Sequence, residues 1–200
     1  MFKKPNCPVI AVEEHYWDKE MSATYVGLEA SRPGPQSERL FDLGALRLKE
    51  MDACGIDMQV ISHGAPSAQK LPQNGAAELV RGVNDRLAAA CAANPKRFAA
   101  FAALPTSDPK AAADELERCV TKHGFKGAML HGLTRQGEFL DLKKFWPIYE
   151  RAQALDVPIY FHPAVPMKVV ADAYYLRYQK DFPSILQSGW GFTVETATQG

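Results

Sequence analysis

This sequence lacks several signatures, and each absence removes a class of function. No C-x-x-C pair occurs. The four cysteines, Cys7, Cys54, Cys91 and Cys119, stand far apart, which argues against a zinc knot or a dithiol redox motif. Cysteines scattered in this way read as reduced, cytosolic and mostly buried. No sign of charge dominates: 23 basic residues face 23 acidic ones, so neither a nucleic acid nor another polyanion is an expected partner. No apolar run approaches the ~20 residues of a membrane helix. The N-terminal MFKKPNCPVIAVEEH has an apolar stretch too short for a secretory signal, and acids break it. The expected location is therefore the cytoplasm, away from membranes. Neither a G-x-G-x-x-G nor a Walker lysine follows the first apolar run, which argues against a nucleotide-binding open sheet.

What is present is ordinary core-forming material, 46% hydrophobic over 200 residues, enough for one sizeable core. Short apolar runs alternate with amphipathic segments. Strands are predicted at Val9–Val12, 58–64, 97–105, 125–132 and 157–163. Helical spacing predicts helices over 37–55, with Gly55 as stop, and over 75–95, closed by Asn94-Pro95. A third starts with Asp108 as N-cap and Pro109 at its first position, and ends at Gly124. A fourth has Pro147 in its first turn. The stretch 31–36, SRPGPQ, reads as a loop, as does 164–200 apart from a helix start near 189. Strands alternating with helices imply right-handed βαβ units and a parallel sheet, open or closed into a (β/α)₈ barrel. Five strands fill about 163 residues, whereas eight units need about 250. The expectation is the N-terminal portion of one barrel domain over 1–200, with a complete small α/β domain as the alternative.

In parallel α/β folds, ligands bind beyond the carboxyl ends of strands. Four of the five histidines fall there: His15, His63, His131 and His162. In VIAVEEH, Glu13 and His15 are two apart, so a strand turns both to one face and Glu14 to the other. A carboxylate and an imidazole sharing that position suit a divalent metal. His162 becomes a third ligand if the sheet curls to bring it near; otherwise it is a hydrogen-bonded loop residue. Arg39 is a candidate for a substrate carboxylate, against the plainer reading of a solvated helix residue. Tyr16 and Trp17 could wall an aromatic pocket or pack beneath a loop. His63 could face the pocket or bond a loop.

The motifs AVEEHYW, MDACGIDMQVIS, RFAAFAALPTSDP, GFKGAMLHG and VPIYFHP together resemble those of the amidohydrolase-superfamily branch of metal-dependent non-oxidative decarboxylases, of the aminocarboxymuconate-semialdehyde and γ-resorcylate type. The resemblance implies a (β/α)₈ TIM barrel of which this chain holds about the first five strands. It implies one divalent ion, zinc or manganese, on Glu13, His15 and His162. His131 stands where resorcylate-type relatives carry a substrate-contacting Asn, a departure that bears on substrate identity. The family's remaining histidine and aspartate, the latter also the proton donor, are expected beyond Gly200, so the catalytic residues are not identified within the chain.

The implied activity is a carboxy-lyase acting on a hydroxylated aromatic or related conjugated acid, in a homo-oligomer. A hydrolase of an ester, lactone or amide on the same scaffold is the first alternative. An inactive fragment is the second, and these 200 residues alone are expected to show little decarboxylation.

Overall fold

The computed structural model describes residues 4–26, 34–185 and 189–199. Among them, five strands follow one another in space as in sequence: β1 (Ile10–Tyr16), β2 (Met58–His63), β3 (Phe98–Ala100), β4 (Ala128–His131) and β5 (Ile159–His162). All pairings are parallel. β1, β2 and β3 form one ladder and β4 and β5 another, joined through the Ala102–Ala128 bridge. Helices α1 (Lys19–Ser22), α2 (Gly34–Phe41), α3 (Ala45–Cys54), α4 (Ala76–Ala93), α5 (Pro109–His123), α6 (Trp146–Ala154), α7 (Lys168–Val170) and α8 (Trp190–Gln199) intervene or follow.

Strand alternation sorts side chains into two layers. Ile61, Ala100, Ala128 and Leu130 face the helices and join the main core with Val80, Leu87, Leu116 and Ile148. Each fully buried aliphatic chain there contributes at most about 1.5–3 kcal/mol. The opposite, concave face carries a smaller cluster of Val60, Phe101 and Met129, with Ala99 and Tyr160 against it. β2 and β4 are buried along nearly their whole length, as parallel strands covered on both faces are, whereas Ile10 and Val12 of β1 and Phe161 of β5 stay exposed.

The helix signals act locally as their chemistry dictates. The Asp108 carboxylate accepts the Ala111 N–H at 3.0 Å, capping α5. Two glycines near the strand ends are sterically required. A Cβ on Gly127 (φ 140°) would meet the Pro158 carbonyl oxygen, and one on Gly132 (φ 46°) would meet Ala164, both at 2.2 Å.

Four expectations need correction. The helix read over 37–55 is two helices, because Asp42 breaks it. Its carboxylate accepts the N–H groups of Gly44 at 3.0 Å and Arg47 at 2.8 Å and so starts α3 afresh, the usual competition of a short acid with the helical ladder. In the expected loop 31–36, residues 31–33 lie outside the described residues, and Gly34 opens α2. The segment 164–185 carries α7, a π-helical turn at Ala171–Tyr175 and a 3₁₀ turn at Leu176–Tyr178 instead of plain loop. Of the cysteines, all free, Cys119 is buried and Cys91 half-buried, but Cys7 before β1 and Cys54 at the end of α3 are exposed. Among the described residues, no helix is long and apolar enough to cross a membrane.

Candidate metal centre

β1 holds an extra residue between its pairings Ala11–Gln59 and Glu14–Ile61. This bulge advances the strand by one residue against β2, so that His15 lies beside Ser62. After it, Glu13 and His15 face the concave side and Glu14 the helices. On β4 and β5 the register pairs His131 with His162, and both face the concave side next to Met129 and Tyr160.

The curl of the sheet closes the distance between β1 and β5. His15 Nε2 and His162 Nε2 are 3.2 Å apart, and His162 Nε2 is 3.4 Å from Glu13 Oε1. One donor atom from each of Glu13, His15 and His162 lies within 4.8 Å of the others. Two atoms bound to one ion at about 2.0–2.2 Å stand about 3.0–3.4 Å apart when their bonds open at 90–110°, so the two spacings at His162 Nε2, to His15 and to Glu13, fit shared coordination.

The tautomers support the same reading. His162 Nδ1 donates to the Pro163 carbonyl at 2.6 Å, which leaves the Nε2 lone pair pointing at the centre. His15 Nδ1 is held by Ser62 Oγ at 3.1 Å. Two nitrogen lone pairs facing each other at 3.2 Å repel unless a cation or proton stands between them. A proton is disfavoured, because burial, and then the neighbouring His162, lower the His15 pKa to about 4. Burial also lowers that of His162. Both imidazoles are thus held neutral, and with the Glu13 side-chain oxygen they make a donor set suited to a divalent ion. Tyr160 donates its hydroxyl to Glu13, and that carboxylate raises the tyrosine pKa to about 12.

The remaining residues singled out in the sequence divide. His131 packs against the site, its ring centroid 4.7 Å from that of His162 and 5.9 Å from that of His15. Its Nε2 donates to the His63 carbonyl at 2.8 Å, while its Nδ1 is buried without a hydrogen-bond partner among the described residues. His63 faces the helices instead. Its Nε2 accepts the Asp18 N–H at 2.9 Å, and Nδ1 meets Gly64 O at 2.9 Å and Tyr25 Oη at 3.2 Å. It is a loop-bonding residue and presents no free nitrogen to the pocket. Tyr16 is buried under α4, with its hydroxyl on Val83 O at 3.4 Å, and Trp17 packs against Tyr25 and Phe41. The alternation that turns His15 inward turns Tyr16 outward. Arg39 is exposed and pairs with Glu50 at 2.7 Å, so its guanidinium is committed elsewhere.

Other residues at the centre were not foreseen. Ser62 and Tyr160 hold two of the three donors. Tyr160 was findable, since it lies two before His162 on the same strand face; Ser62 required the β1–β2 register. Buried Arg47 donates to the carbonyls of His15 at 2.6 Å, Asp42 at 2.8 Å and Arg39 at 3.2 Å, tying α3 to the end of β1.

A parallel β/α sheet with a two-histidine, one-carboxylate centre at its carboxyl ends defines a class of metal-site fold, and comparison assigns the family. The sequence model of the amidohydrolase family matches residues 10–199, and the chain belongs to that family. It is 38% identical over 198 residues to the γ-resorcylate decarboxylase of Rhizobium sp. (strain MTP-10005), covering 94% of this chain and 58% of that one. The dihydroxybenzoic acid decarboxylase of Polaromonas sp. JS666, solved with manganese and 2-nitroresorcinol, superposes with a TM-score of 0.81 at 37% identity, over 96% of this chain and 58% of that one. The 5-carboxyvanillate decarboxylase of Novosphingobium aromaticivorans, solved with manganese and 4-hydroxy-3-methoxy-5-nitrobenzoic acid, superposes with a TM-score of 0.87 at 31% identity, over 97% and 59%. The chain thus spans somewhat over half the length of the relatives it matches.

Proposed function

We propose that this protein is a metal-dependent carboxy-lyase that removes carbon dioxide from a hydroxylated aromatic acid. The observation that carries the reading is the convergence of Glu13, His15 and His162 within 4.8 Å. The decarboxylase names of relatives near 38% identity support it. Residues 1–200 would supply the N-terminal portion of a (β/α)₈ barrel. Five parallel strands in sequence order and the 58% span of the relatives support that placement.

Glu13, His15 and His162 would hold a divalent ion, manganese or zinc. When bound, such an ion supplies Lewis-acid polarisation and a template for chelating oxygens. Ser62 and the Pro163 carbonyl fix the imidazoles so that their lone pairs point to one centre, the orienting role of partners behind metal ligands. His131, fixed as the Nε2–H tautomer by the His63 carbonyl, offers only a lone pair at Nδ1. It would accept a hydrogen bond from a substrate hydroxyl, and so favour a phenol over an ether at that position. Four unpaired cysteines support a reducing, cytoplasmic setting. Exposed apolar residues such as Val169, Phe182 and Trp190 support association into a homo-oligomer.

The test is carbon dioxide release from a panel of dihydroxybenzoates, with manganese or zinc, by the protein and its His162→Ala variant. Metal-dependent release that the variant loses upholds the reading. Incorporation of solvent oxygen into the product of an ester or lactone, with no carbon dioxide, overturns it in favour of hydrolysis.

A further inference from the structure

Beyond the metal centre, the loops after β2 and β4 enclose a cavity of about 390 Å³ lined by Tyr25, Ser67, Lys70, Leu71 and Arg135. At Lys70 and Arg135 it adjoins a second hollow of about 440 Å³ walled by Leu133, Val165 and Met167. Leu133 is two residues past His131 and Val165 three past His162, so no more than about 7–11 Å of extended chain separates these walls from the metal centre's residues. The two spaces open on the same carboxyl-end face.

Three features of the lining are unspent. Arg135 is exposed and has no ionic partner among the described residues; by contrast Lys168, on the rim of the second hollow, is paired with Asp172. Among the described residues the Lys70 ammonium donates only to the Thr134 carbonyl, at a long 3.4 Å. Ser67 is 1% exposed, yet its Oγ has no hydrogen-bond partner among the described residues. A buried hydroxyl left unbonded costs free energy. Ser67 also takes a left-handed backbone (φ 51°), sparsely populated for a residue with a side chain, and such residues cluster at functional sites. Gln69, within the same turn, binds the His131 N–H and the Leu104 carbonyl, each at 3.2 Å, so the turn is braced against the end of β4.

We propose that this cavity is a carboxylate-binding site separate from the metal centre, with Lys70 and Arg135 supplying charge and Ser67 a hydroxyl donor. A planar oxyanion suits this lining: the guanidinium fork matches a carboxylate edge, the ammonium adds a second charge, and the Ser67 hydroxyl, in the cavity wall, gains a bond it otherwise lacks. The site stands on its own residues and holds whether or not Glu13, His15 and His162 carry an ion. The carboxylate could belong to a separate small molecule or be the second carboxylate of a ligand that also reaches the metal.

The experiment is an amide-resolved NMR titration of ¹⁵N-labelled, EDTA-treated protein with benzoate. The expected result is shift changes concentrated at 66–71 and 133–137 that weaken with added salt. Affinity should fall roughly tenfold or more in Arg135→Ala and in Lys70→Ala. Arg135→Lys should lose less, and Lys122→Ala, on the exposed side of α5, nothing. These side chains are solvent-accessible, and the variants' own spectra show whether the fold is kept. Repeating the titration with isophthalate on manganese-loaded protein separates the sources. Tighter binding than benzoate assigns the site to a metal-reaching dicarboxylate, and equal binding to a separate carboxylate; both uphold the site. Shifts centred on His15 and His162 instead, or undiminished in the Lys70→Ala/Arg135→Ala double variant, would overturn the proposal.

Discussion

On the inner face of β1, Glu13 and His15 meet His162 across the curl of the sheet. On its outer face, one residue along, Glu14 accepts a hydrogen bond from Gln59 Nε2 at 2.9 Å, near the guanidinium of Arg47. The two acids are the same in type and adjacent in sequence. Glu13 accepts the Tyr160 hydroxyl and faces the lone pair of His162, with no Lys or Arg partner among the described residues, the condition that a metal relieves. Glu14 is partly buried, which raises its pKa, and Arg47 offsets that burial. The environment, set by which way one strand residue points, separates a candidate ligand from a structural acid.

The sharpest way to break this comparison is to remove the outer scaffold. Arg47→Ala leaves the carbonyls of His15, Arg39 and Asp42 without their buried donor. A loss of roughly 3–5 kcal/mol in urea denaturation is expected, as for other uncompensated buried partners. A loss below about 1 kcal/mol would show that α3 and β1 hold together without it.

On the inner face, His162→Ala should lower manganese or zinc affinity by more than about 100-fold in calorimetric titration, since losing a mere supporting partner costs about 10–100-fold. Ser62→Ala, which frees His15 Nδ1, tests that smaller range directly. An unchanged affinity in His162→Ala would remove β5 from the centre.

Acid should act on both faces alike, because burial is the first cause for the inner His15 and for the outer His63, each with a pKa lowered to about 4. The unfolded chain binds the proton near pH 6.5 and the folded chain only near 4, so the unfolded state carries more protons in between. Stability of the metal-free protein should therefore fall as pH drops through that window, by about 1–2 kcal/mol per histidine between pH 7 and 5. Urea melts at the two values check this. A flat profile would mean that neither imidazole is held neutral by burial.

The smallest effect is expected for Glu14→Gln, which keeps an acceptor for Gln59 and loses only the attraction of Arg47. Metal affinity should be unchanged and stability shifted by less than about 1 kcal/mol. Glu13→Gln at the neighbouring position should weaken metal binding at least tenfold, and equal behaviour of the two variants would erase the distinction between the faces.

Much of this was legible beforehand because it is local. Strand alternation separated Glu13 and His15 from Glu14, and the Asp108-Pro109 and Gly124 signals bounded α5, since each depends on neighbours a few residues away. The break at Asp42 was missed because Leu40, Leu43, Leu46 and Leu48 keep helical spacing across it, while a capping carboxylate leaves no trace in apolar periodicity. The sequence leaves the direction of His63 open, because it follows Ser62, whose inward direction only the pairing with His15 reveals.

By itself, the sequence determined the order of elements, the parallel sheet and the strand ends on which polar chemistry sits, because hydrophobic period and turn residues act over short range. It could not fix how far the sheet curls. Whether His162, 147 residues from His15, reaches it depends on β1 to β5 twisting as one surface, and on a bulge that advances β1 by one residue against β2. It could not show that His131 keeps a buried lone pair while His63 spends both nitrogens, because that division rests on which carbonyl each ring meets. Those distances come from packing summed over five strands and their helices, so only the tertiary structure could decide them.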